Sequence, residues 1–316
     1  MRAVIVKEPG DVENLVITNI EKPVPGNEEV LVHVKAFGIN PVDIKTRKGM
    51  ALYKTLQESP PVILGWDISG IVESTGKGVT AFRSGDEVFG MINFPGNGKA
   101  YAEYVVAPAG HLAHKPKNIS HQEAAAASLA LLTAWQVLTQ QAHLQKGKRL
   151  FIQAAAGGVG HFGVQIGKHL GAYVIGTGSA ANEDFIRQLG ADEFVNYKTT
   201  PFEEHVSNID VVFDAVGGHL PLRALPMINE GGKLICIAGG LTEEVKEKAK
   251  SKNIHAISYM VHSNGEDMKE LAALLQLNVL KPYISYEFRM DQIKQAHLQS
   301  ETGKTRGKIV AVPSEL

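Results

Sequence analysis

A chain of 316 residues is long for one compact domain, which favours two domains. Its composition, 44% apolar and 21% charged, is ordinary for a soluble globular protein, and its net charge of −1 gives little attraction to nucleic acid or an anionic membrane. Cys236 is the only cysteine, which excludes an intrachain disulfide and a cysteine-rich zinc site. Residues 1–10 lack a secretory signal, and the longest apolar stretch, 123–135, is too short to span a bilayer. We expect a soluble cytoplasmic protein with no membrane partner.

Residues 1 to about 120 contain short runs of β-branched residues, separated by glycine, proline and asparagine. The predicted strands are residues 3–6, 29–36, 68–75, 87–91 and 103–107. This pattern predicts a β-dominated domain.

From Ser120 the pattern changes to alternating helices and strands. Ser120 and Glu123 have the spacing of a capping box, and an Ala- and Leu-rich helix is predicted to about Leu138. Later apolar runs are nearly continuous, as in strands buried on both faces of a parallel sheet. The predicted strands are residues 149–154, 173–176, 211–215 and 233–238, and the predicted helices are 158–170 and 182–189. This alternation predicts a doubly wound α/β domain.

The chain after residue 262 holds four more predicted elements. They are a helix at 267–277, a strand at 283–288, a helix at 290–299 and a strand at 308–312. These elements either extend the α/β sheet or return to the first domain, and their pattern does not decide between the two.

A glycine-rich turn follows the first strand of the α/β domain. The strand runs into Ala155-Ala156-Gly157-Gly158-Val159-Gly160, and an apolar-faced helix follows. Such a turn is either an ordinary strand-to-helix connection or a pyrophosphate site; the strand before it and the helix after it favour the site, because missing side chains let the backbone approach and the helix N-terminus offers unpaired N–H groups. Gly157 and Gly160 fit the second and third glycines of the dinucleotide fingerprint, with Ala155 in the first place. A second register, Gly158, Gly160 and Gly163, has the same spacing, and we prefer the first because it begins at the strand end.

The residues after the next strand bear on the choice of dinucleotide. NAD-binding sites carry an acidic residue about 20 positions on, where it binds the ribose 2′-hydroxyl. Here the matching segment ends at Ser179, and the first acid is Glu183. Ser179 and, after the following strand, Tyr197 are candidate contacts for a 2′-phosphate. The sequence therefore favours NADP(H), with no positive partner assigned.

Several separated segments resemble the medium-chain dehydrogenase/reductase superfamily, in its zinc-independent quinone oxidoreductase and enone reductase branch, which includes zeta-crystallin. The matching segments are residues 38–43 with Arg47 and Gly49, 64–67 with Gly70 and Val72, 85–88, 101–104, 132–135, 155–160 and 307–310. They follow in family order and span nearly the whole chain.

The resemblance implies the fold and the assembly. It implies a GroES-like β domain, residues 1–121 and 263–316, and a Rossmann-type doubly wound parallel-sheet domain, residues 122–262. It also implies an active site in the cleft between the domains and a homodimer that pairs a late strand near residues 254–260.

The positions that carry catalytic zinc in the alcohol dehydrogenase branch hold other residues here. Asn40 takes the first ligand position, Trp66 the histidine position and a residue near Leu129 the last, and none of these is a suitable zinc ligand. His111 and His114 are interpreted as loop residues. We therefore expect no bound zinc and an acceptor, such as a quinone or enone, that needs no Lewis acid.

The candidate catalytic residues are Asn40, Asp43, Tyr53 and Trp66. The resemblance makes Asn40 a hydrogen-bond donor to a substrate carbonyl or cofactor ribose, although an Asn-Pro turn explains its type equally well. Asp43 either holds this loop or is a structural or exposed carboxylate. Tyr53 either protonates the reduced product or leaves that step to solvent, and Trp66 forms an apolar wall or is part of the core.

Further cofactor contacts are predicted at separated positions. Thr133 matches a threonine near the nicotinamide ribose, or else bonds its own helix backbone. Val216 and Gly239 follow two predicted parallel strands, where open α/β sheets bind ligands. Lys308 approaches a cofactor phosphate or, with Lys304 and Arg306, belongs to a solvated basic loop.

These observations predict an NADPH-dependent, zinc-independent oxidoreductase that transfers a hydride to a small quinone or α,β-unsaturated carbonyl. A zinc-type alcohol dehydrogenase-like enzyme is the enzymatic alternative. A non-enzymatic NADPH-binding protein, crystallin-like or RNA-binding, is the other, and the near-neutral charge gives RNA binding little support.

Overall fold

The structure is a computed structural model, and it describes residues 1–313. Its strands, in chain order, are β1 Arg2–Val6, β2 Leu15–Asn19, β3 Glu29–Ile39, β4 Asp67–Thr75, β5 Glu87–Met91, β6 Tyr104–Pro108, β7 Ala113–His114, β8 Arg149–Ile152, β9 Tyr173–Gly178, β10 Glu193–Asn196, β11 Ile209–Asp214, β12 Ile228–Cys236, β13 His255–Ser258, β14 Ile284–Arg289 and β15 Lys308–Val312. Its α-helices are α1 Pro41–Arg47, α2 Tyr53–Leu56, α3 His121–Ala126, α4 Leu129–Trp135, α5 Gly160–His169, α6 Glu183–Gln188, α7 Phe202–His205, α8 Leu220–Ala224, α9 Glu243–Ser251, α10 Gly265–Gln276 and α11 Ile293–Glu301.

The chain divides into two compact units. The first consists of Met1–Leu132 and Val261–Leu316, and the second of Thr133–Met260. The domain limits expected from the resemblance stay a prediction, and these units differ from them at residues 122–132 and 261–262. Residues 122–132 lie in the first unit because α3 packs on β3, β4 and β5.

A seven-stranded sheet forms the core of the first unit. Its strands follow the order β14-β15-β3-β4-β5-β7, with β6 paired to β3, and every neighbouring pair except β14 and β15 is antiparallel. The last two strands therefore return to the first unit, which answers the question that the sequence left open. The GroES-like β domain and the Rossmann-type sheet predicted from the sequence are both present.

The register of this sheet brings three distant chain segments together. Ile309 on β15 pairs with Ile39 on β3, and Phe37 on β3 pairs with Ile68 on β4. The residues just beyond these pairs are Asn40, Asp67 and Lys308. Backbone pairing alone therefore places these three polar residues at one end of the sheet.

The second unit is built on a six-stranded parallel sheet in the order β10-β9-β8-β11-β12-β13. Numbered within the unit, this order is 3-2-1-4-5-6, that of a doubly wound dinucleotide-binding domain. The strands are apolar because both faces are covered. On one face Phe151, Val212 and Leu234 are buried in the core against the helical segments that carry Phe202, Ala224 and Val245.

The predicted helix at 120–138 is not one regular helix. Its start is confirmed, since the Ser120 hydroxyl accepts from Glu123 N–H and the Glu123 carboxylate from Ser120 N–H. It breaks after α3 because the N–H of Leu129 donates to Oδ1 of Asp67, at 2.6 Å. The carboxylate of Asp67, which is distant in sequence, thus accepts the hydrogen bond that a backbone carbonyl would accept in a continuous helix. Beyond α4 the chain continues as a π-helix, Gln136–Gln141.

Some elements were not predicted. The strand β2 and the helices α1 and α9 have no counterpart among the sequence predictions. Helix α9 is mostly exposed, with only Val245 and Ala249 buried, so its apolar stripe is too narrow to stand out in the sequence. Within residues 1–313, no helix is both long and apolar enough to span a bilayer.

We predict that Gly70→Ala destabilises the first unit. A Cβ at Gly70 would lie 2.8 Å from the Cγ1 of Val32 and 2.9 Å from the carbonyl carbon of His33, on the neighbouring strand. Forcing β3 and β4 apart is expected to lower the free energy of unfolding by about 1–3 kcal/mol, measured by urea denaturation. Gly110→Ala is the control, since its Cβ would meet nothing within 4 Å. Equal stability of the two variants would contradict the close approach of the strands.

Candidate active site

The glycine-rich turn leaves β8 and enters α5 within a few residues. Ala154 takes a left-handed conformation, with a φ of +51°. The N–H of Ala155 donates to the carbonyl oxygen of Thr177 at 2.9 Å, which ties the turn to the neighbouring strand β9. Helix α5 begins at Gly160. The strand, turn and helix therefore follow in the order that a dinucleotide site requires.

At the N-terminus of α5, three consecutive amide groups of this turn have no hydrogen-bond acceptor in the described part of the chain. The N–H of Gly157 donates to Ala154 O at 2.8 Å, and the carbonyl of Gly157 accepts from the N–H of His161 at 3.0 Å. Among the described residues, the N–H groups of Gly158, Val159 and Gly160 donate to no protein acceptor. Unpaired amides at a helix N-terminus bind anions, because they carry the positive end of the helix dipole. The turn therefore fits a dinucleotide pyrophosphate.

The space around the glycines favours one of the two registers. A Cβ on Gly160 would lie 2.8 Å from Ala155 Cα, closer than real Cβ atoms come, whereas one on Gly163 would lie 3.4 Å from Ile152 Cδ1. Gly160 therefore provides the close approach of helix and strand that the third glycine of the fingerprint supplies. The register with Ala155, Gly157 and Gly160 is the one that this packing supports.

The other predicted cofactor contacts of the second unit follow the carboxyl ends of its parallel strands. Ser179 follows β9, Tyr197 follows β10, Val216 follows β11 and Gly239 lies just beyond β12. The glycine-rich turn, which includes Ala156, follows the carboxyl end of β8. Because the strands are parallel, the turn and these four residues lie at the same end of the sheet. Tyr197 and Val216 are exposed, while Ser179 is half-buried and its hydroxyl accepts from Asn182 Nδ2 at 3.4 Å. Thr133 lies on α4 and is buried.

In the first unit, Asn40 is bound at both ends of its side chain by charged groups. Its Nδ2 donates to Oδ2 of Asp67 at 2.8 Å, and its Oδ1 accepts from the ammonium of Lys308. Asn40 is 2% exposed, Asp67 is fully buried and Lys308 is 3% exposed. The ammonium lies 3.5 Å from Oδ2 of Asp67, so the three side chains form one cluster.

The surroundings of Lys308 contradict one of its two sequence interpretations. Lys308 is not part of a solvated basic loop, because it starts the buried strand β15 and donates to Ile39 O at 3.4 Å as well as to Asn40. Its predicted contact with a cofactor phosphate stays a prediction. All the partners that the structure gives this ammonium are protein groups of the first unit.

Asp43 lies on the next turn of chain after Asn40 and is fully buried, so it is not an exposed carboxylate. Its Oδ2 accepts from the backbone N–H of Asn40 at 2.6 Å and so caps α1. Its Oδ1 has no hydrogen-bond partner among the described residues. Burial raises the pKa of Asp43 to about 7, and the negative charge of Asp67 adds to this effect. Burial also raises the pKa of Asp67, although Lys308 opposes the shift.

A chain of buried polar groups joins Arg47, His297 and Tyr101. Arg47 Nη1 lies 3.3 Å from Nδ1 of His297, and Nε2 of His297 lies 3.2 Å from the hydroxyl of Tyr101. Burial and the charge of Arg47 lower the pKa of His297 to about 3, so its ring is neutral. Because a guanidinium only donates, Nδ1 accepts and Nε2 carries the proton. Nε2–H therefore donates to the hydroxyl oxygen of Tyr101.

Neither Trp66 nor Tyr53 is hydrogen-bonded to these buried polar groups in the described part of the chain. The indole N–H of Trp66 donates to Gly96 O at 2.7 Å, and its ring meets Phe94 edge-on at 5.2 Å. Trp66 is fully buried, as a wall or core residue would be. Tyr53 begins α2 and is half-buried, and its phenol makes no hydrogen bond within the described range. The roles predicted for both residues stay predictions.

The expectation that His111 and His114 are loop residues is wrong: His111 ends a 3-10 helix, Ala109–His111, and His114 ends the short strand β7. Nδ1 of His111 accepts from the N–H of Asn93 at 3.1 Å, and His114 packs against Phe82 with ring centroids 4.9 Å apart. In residues 1–313, no three or more His, Cys, Asp or Glu side chains are grouped so that they could hold a metal ion.

Sequence reasoning did not single out three of these buried polar residues, Asp67, Tyr101 and His297. Asp67 and Tyr101 stood only inside matching segments, and His297 was not noticed at all. A carboxylate that opens an apolar strand is the signal that could have identified Asp67. His297 could have been identified by its place on the apolar face of α11, which buries Ile293 and Ala296.

Two family models match the chain. The model described as "Alcohol dehydrogenase GroES-like domain" matches residues 26–117, and the one described as "Zinc-binding dehydrogenase" matches residues 189–311. The first match lies within the first compact unit, and the second covers residues of both units.

Curated relatives and solved structures match over nearly the whole chain. A 2-methylene-furan-3-one reductase of Solanum lycopersicum is 32% identical over 99% of this chain and 79% of its own. A chloroplastic NADPH-dependent alkenal/one oxidoreductase of Arabidopsis thaliana is 31% identical over 99% of this chain and 80% of its own. The structure of the quinone oxidoreductase from Coxiella burnetii superposes with a TM-score of 0.94, at 33% identity and 99% coverage of both chains. This chain therefore belongs to the medium-chain dehydrogenase/reductase superfamily, in its quinone oxidoreductase branch.

Proposed function

We propose that this protein is an NADPH-dependent, zinc-independent oxidoreductase that transfers a hydride to a quinone or an α,β-unsaturated carbonyl compound. The observation that carries the proposal is the turn with unpaired amides at Gly158, Val159 and Gly160, at the N-terminus of α5. The similarity to an alkenal/one oxidoreductase and to a quinone oxidoreductase supports the acceptor class.

The residues of the glycine-rich turn would hold the pyrophosphate of the dinucleotide through their backbone amides. When bound, the reduced nicotinamide supplies a hydride. Ser179 and Tyr197 are proposed to receive the 2′-phosphate, since the chain from Thr177 to Asn182 has no carboxylate that would repel it. Preference for NADPH over NADH is therefore part of the proposal.

The proposed acceptor follows from the residues available to bind it. Asn40, Trp66 and an apolar residue near Leu129 stand at the family's zinc-ligand positions, and an amide, an indole and an alkyl chain do not coordinate zinc. Oxidation of a simple alcohol is assisted by a Lewis acid such as zinc, which lowers the pKa of the hydroxyl, whereas a conjugated enone or quinone needs mainly alignment and a donor to its oxygen. Asn40 is the proposed donor. Among the described residues, no contact favours the alcohol dehydrogenase-like or the non-enzymatic alternative.

The cytoplasmic location and the homodimer stay predictions. Strand β13, which includes part of the segment predicted to pair between subunits, is the last strand of the six-stranded sheet. An edge strand has a row of backbone groups available for pairing, which supports the proposed dimer.

We predict that the protein oxidises NADPH with quinones and enones and not with saturated ketones. Absorbance at the NADPH band is followed with benzoquinone, pent-1-en-3-one and, as the matched control, pentan-3-one, which has the same carbonyl without the double bond. Turnover is expected with the first two, and a chelator should leave it unchanged. Zinc-dependent oxidation of simple alcohols would contradict the proposal, as would binding of NADPH without turnover of any acceptor.

We also predict that Gly160→Ala weakens NADPH binding while Gly163→Ala does not. The added Cβ at Gly160 would push the turn away from α5 and misalign its amides. A loss of about 1.4 kcal/mol in binding corresponds to about tenfold in Kd, measured by NADPH fluorescence titration. The Gly163 variant tests the alternative register, because its Cβ has room. Weaker binding in the Gly163 variant alone would reverse our assignment of the fingerprint.

A further inference from the structure

The side chain of Asn40 has a single allowed orientation. Its Nδ2 faces the carboxylate of Asp67, and its Oδ1 faces the ammonium of Lys308. Turning the amide over would place Oδ1 against the carboxylate and Nδ2 against the ammonium, and both contacts are repulsive. Hydrogen bonds to charged groups are about twice as strong as those between neutral groups, and these are shielded from water.

The two charged residues are themselves fixed by the backbone. Oδ1 of Asp67 accepts from the N–H of Leu129 at 2.6 Å, where α4 begins. Lys308 donates to Ile39 O at 3.4 Å and lies on β15, beside β3. The position of the Asn40 amide is therefore set by three segments of the sheet and by the start of a helix.

One donor of Asn40 remains after these bonds. A side-chain amide carries two N–H groups, and Asp67 takes one of them. No other hydrogen bond of Nδ2 is present among the described residues. The second Nδ2–H is a donor of fixed position, of the kind that stabilises negative charge developing on a carbonyl oxygen.

We propose that Asp67 and Lys308 are positioning residues: they hold the Asn40 amide so that its second Nδ2–H donates to the carbonyl oxygen of the acceptor. This inference rests on the proposed reductase function. Neither Asp67 nor Lys308 touches the acceptor, and both act through Asn40. Lys308 therefore serves the reaction from inside the first unit.

The first test uses the free protein. With 15N-labelled asparagine, the side-chain amide signals of Asn40 are assigned by their absence from Asn40→Ala. One Nδ2 proton should exchange slowly with solvent, and Lys308→Met should speed that exchange about tenfold, as expected for loss of a charge-assisted bond. Lys117→Met is the matched control, since it removes an exposed lysine from the same unit. Exchange in Lys308→Met equal to that of the wild type would overturn the proposal.

The second test is a double-mutant cycle in NADPH-dependent reduction. Asn40→Ala and Lys308→Met should each lower kcat at saturating NADPH, by up to about 100-fold for a misplaced group. If Lys308 acts through Asn40, the double variant is no slower than Asn40→Ala. Losses that multiply in the double variant would overturn the proposal.

Removing one charge of a buried pair can damage the fold, so a third variant keeps the test valid. Asp67→Asn/Lys308→Met removes both charges together, and it should melt near the wild-type temperature while kcat stays low. Wild-type kcat in this folded variant would overturn the positioning role. A wild-type protein that binds NADPH but reduces no acceptor would remove the proposed function instead, and the exchange measurement would still decide whether Lys308 holds the Asn40 amide.

Discussion

The buried carboxylate of Asp67 is the constraint on which the first unit depends. A carboxylate without solvent costs several kcal/mol unless charges and donors compensate. Here Lys308, the Asn40 amide and the N–H of Leu129 supply them. These partners come from β15, from the end of β3 and from the start of α4. The contacts that allow the charge to be buried therefore also join the late strands to the early ones and interrupt the helix after α3.

The two units meet different chemical demands. In the second unit, the glycine-rich turn offers backbone amides and a helix dipole, which bind phosphate without a charged side chain. In the first unit, Asn40 retains a neutral donor, and the groups around it are either neutral or paired within the protein. An enone or quinone accepts a hydride readily and requires alignment and a donor to its oxygen, so this arrangement is sufficient without a Lewis acid.

A feature could be predicted from the sequence when it depends on residues that are close together in the chain, and not when it depends on distant ones. The strands at 87–91 and 308–312 were predicted with the bounds that the structure has, because their apolar patterns are local. The strand, turn and helix around Gly157 were equally readable, since the turn depends on adjacent residues. The break at Leu129 was not predictable from local pattern, because its cause is a carboxylate that is distant in sequence.

The candidate site shows the same limit. Resemblance to the family led to Asn40 and Asp43, but not to what surrounds them. A lysine that follows two nearby basic residues, Lys304 and Arg306, is typical of an exposed loop, and only the pairing of β15 with β3 buries Lys308 beside Asn40. His297 is separated from its partners Arg47 and Tyr101 by most of the chain. Its role in orienting Tyr101 depends on a fold that the histidine itself does not reveal.

The central claim is that a hydride passes from NADPH to the carbon of a conjugated acceptor, and isotopic labelling tests it most directly. The protein is supplied with NADPH deuterated at the transferring position of the nicotinamide C4 and with an enone, and the product is analysed by NMR. The account predicts a saturated ketone with deuterium on the β-carbon and a proton from water on the α-carbon. Deuterium on the carbonyl carbon of an allylic alcohol, or no deuterium in any product, would contradict it.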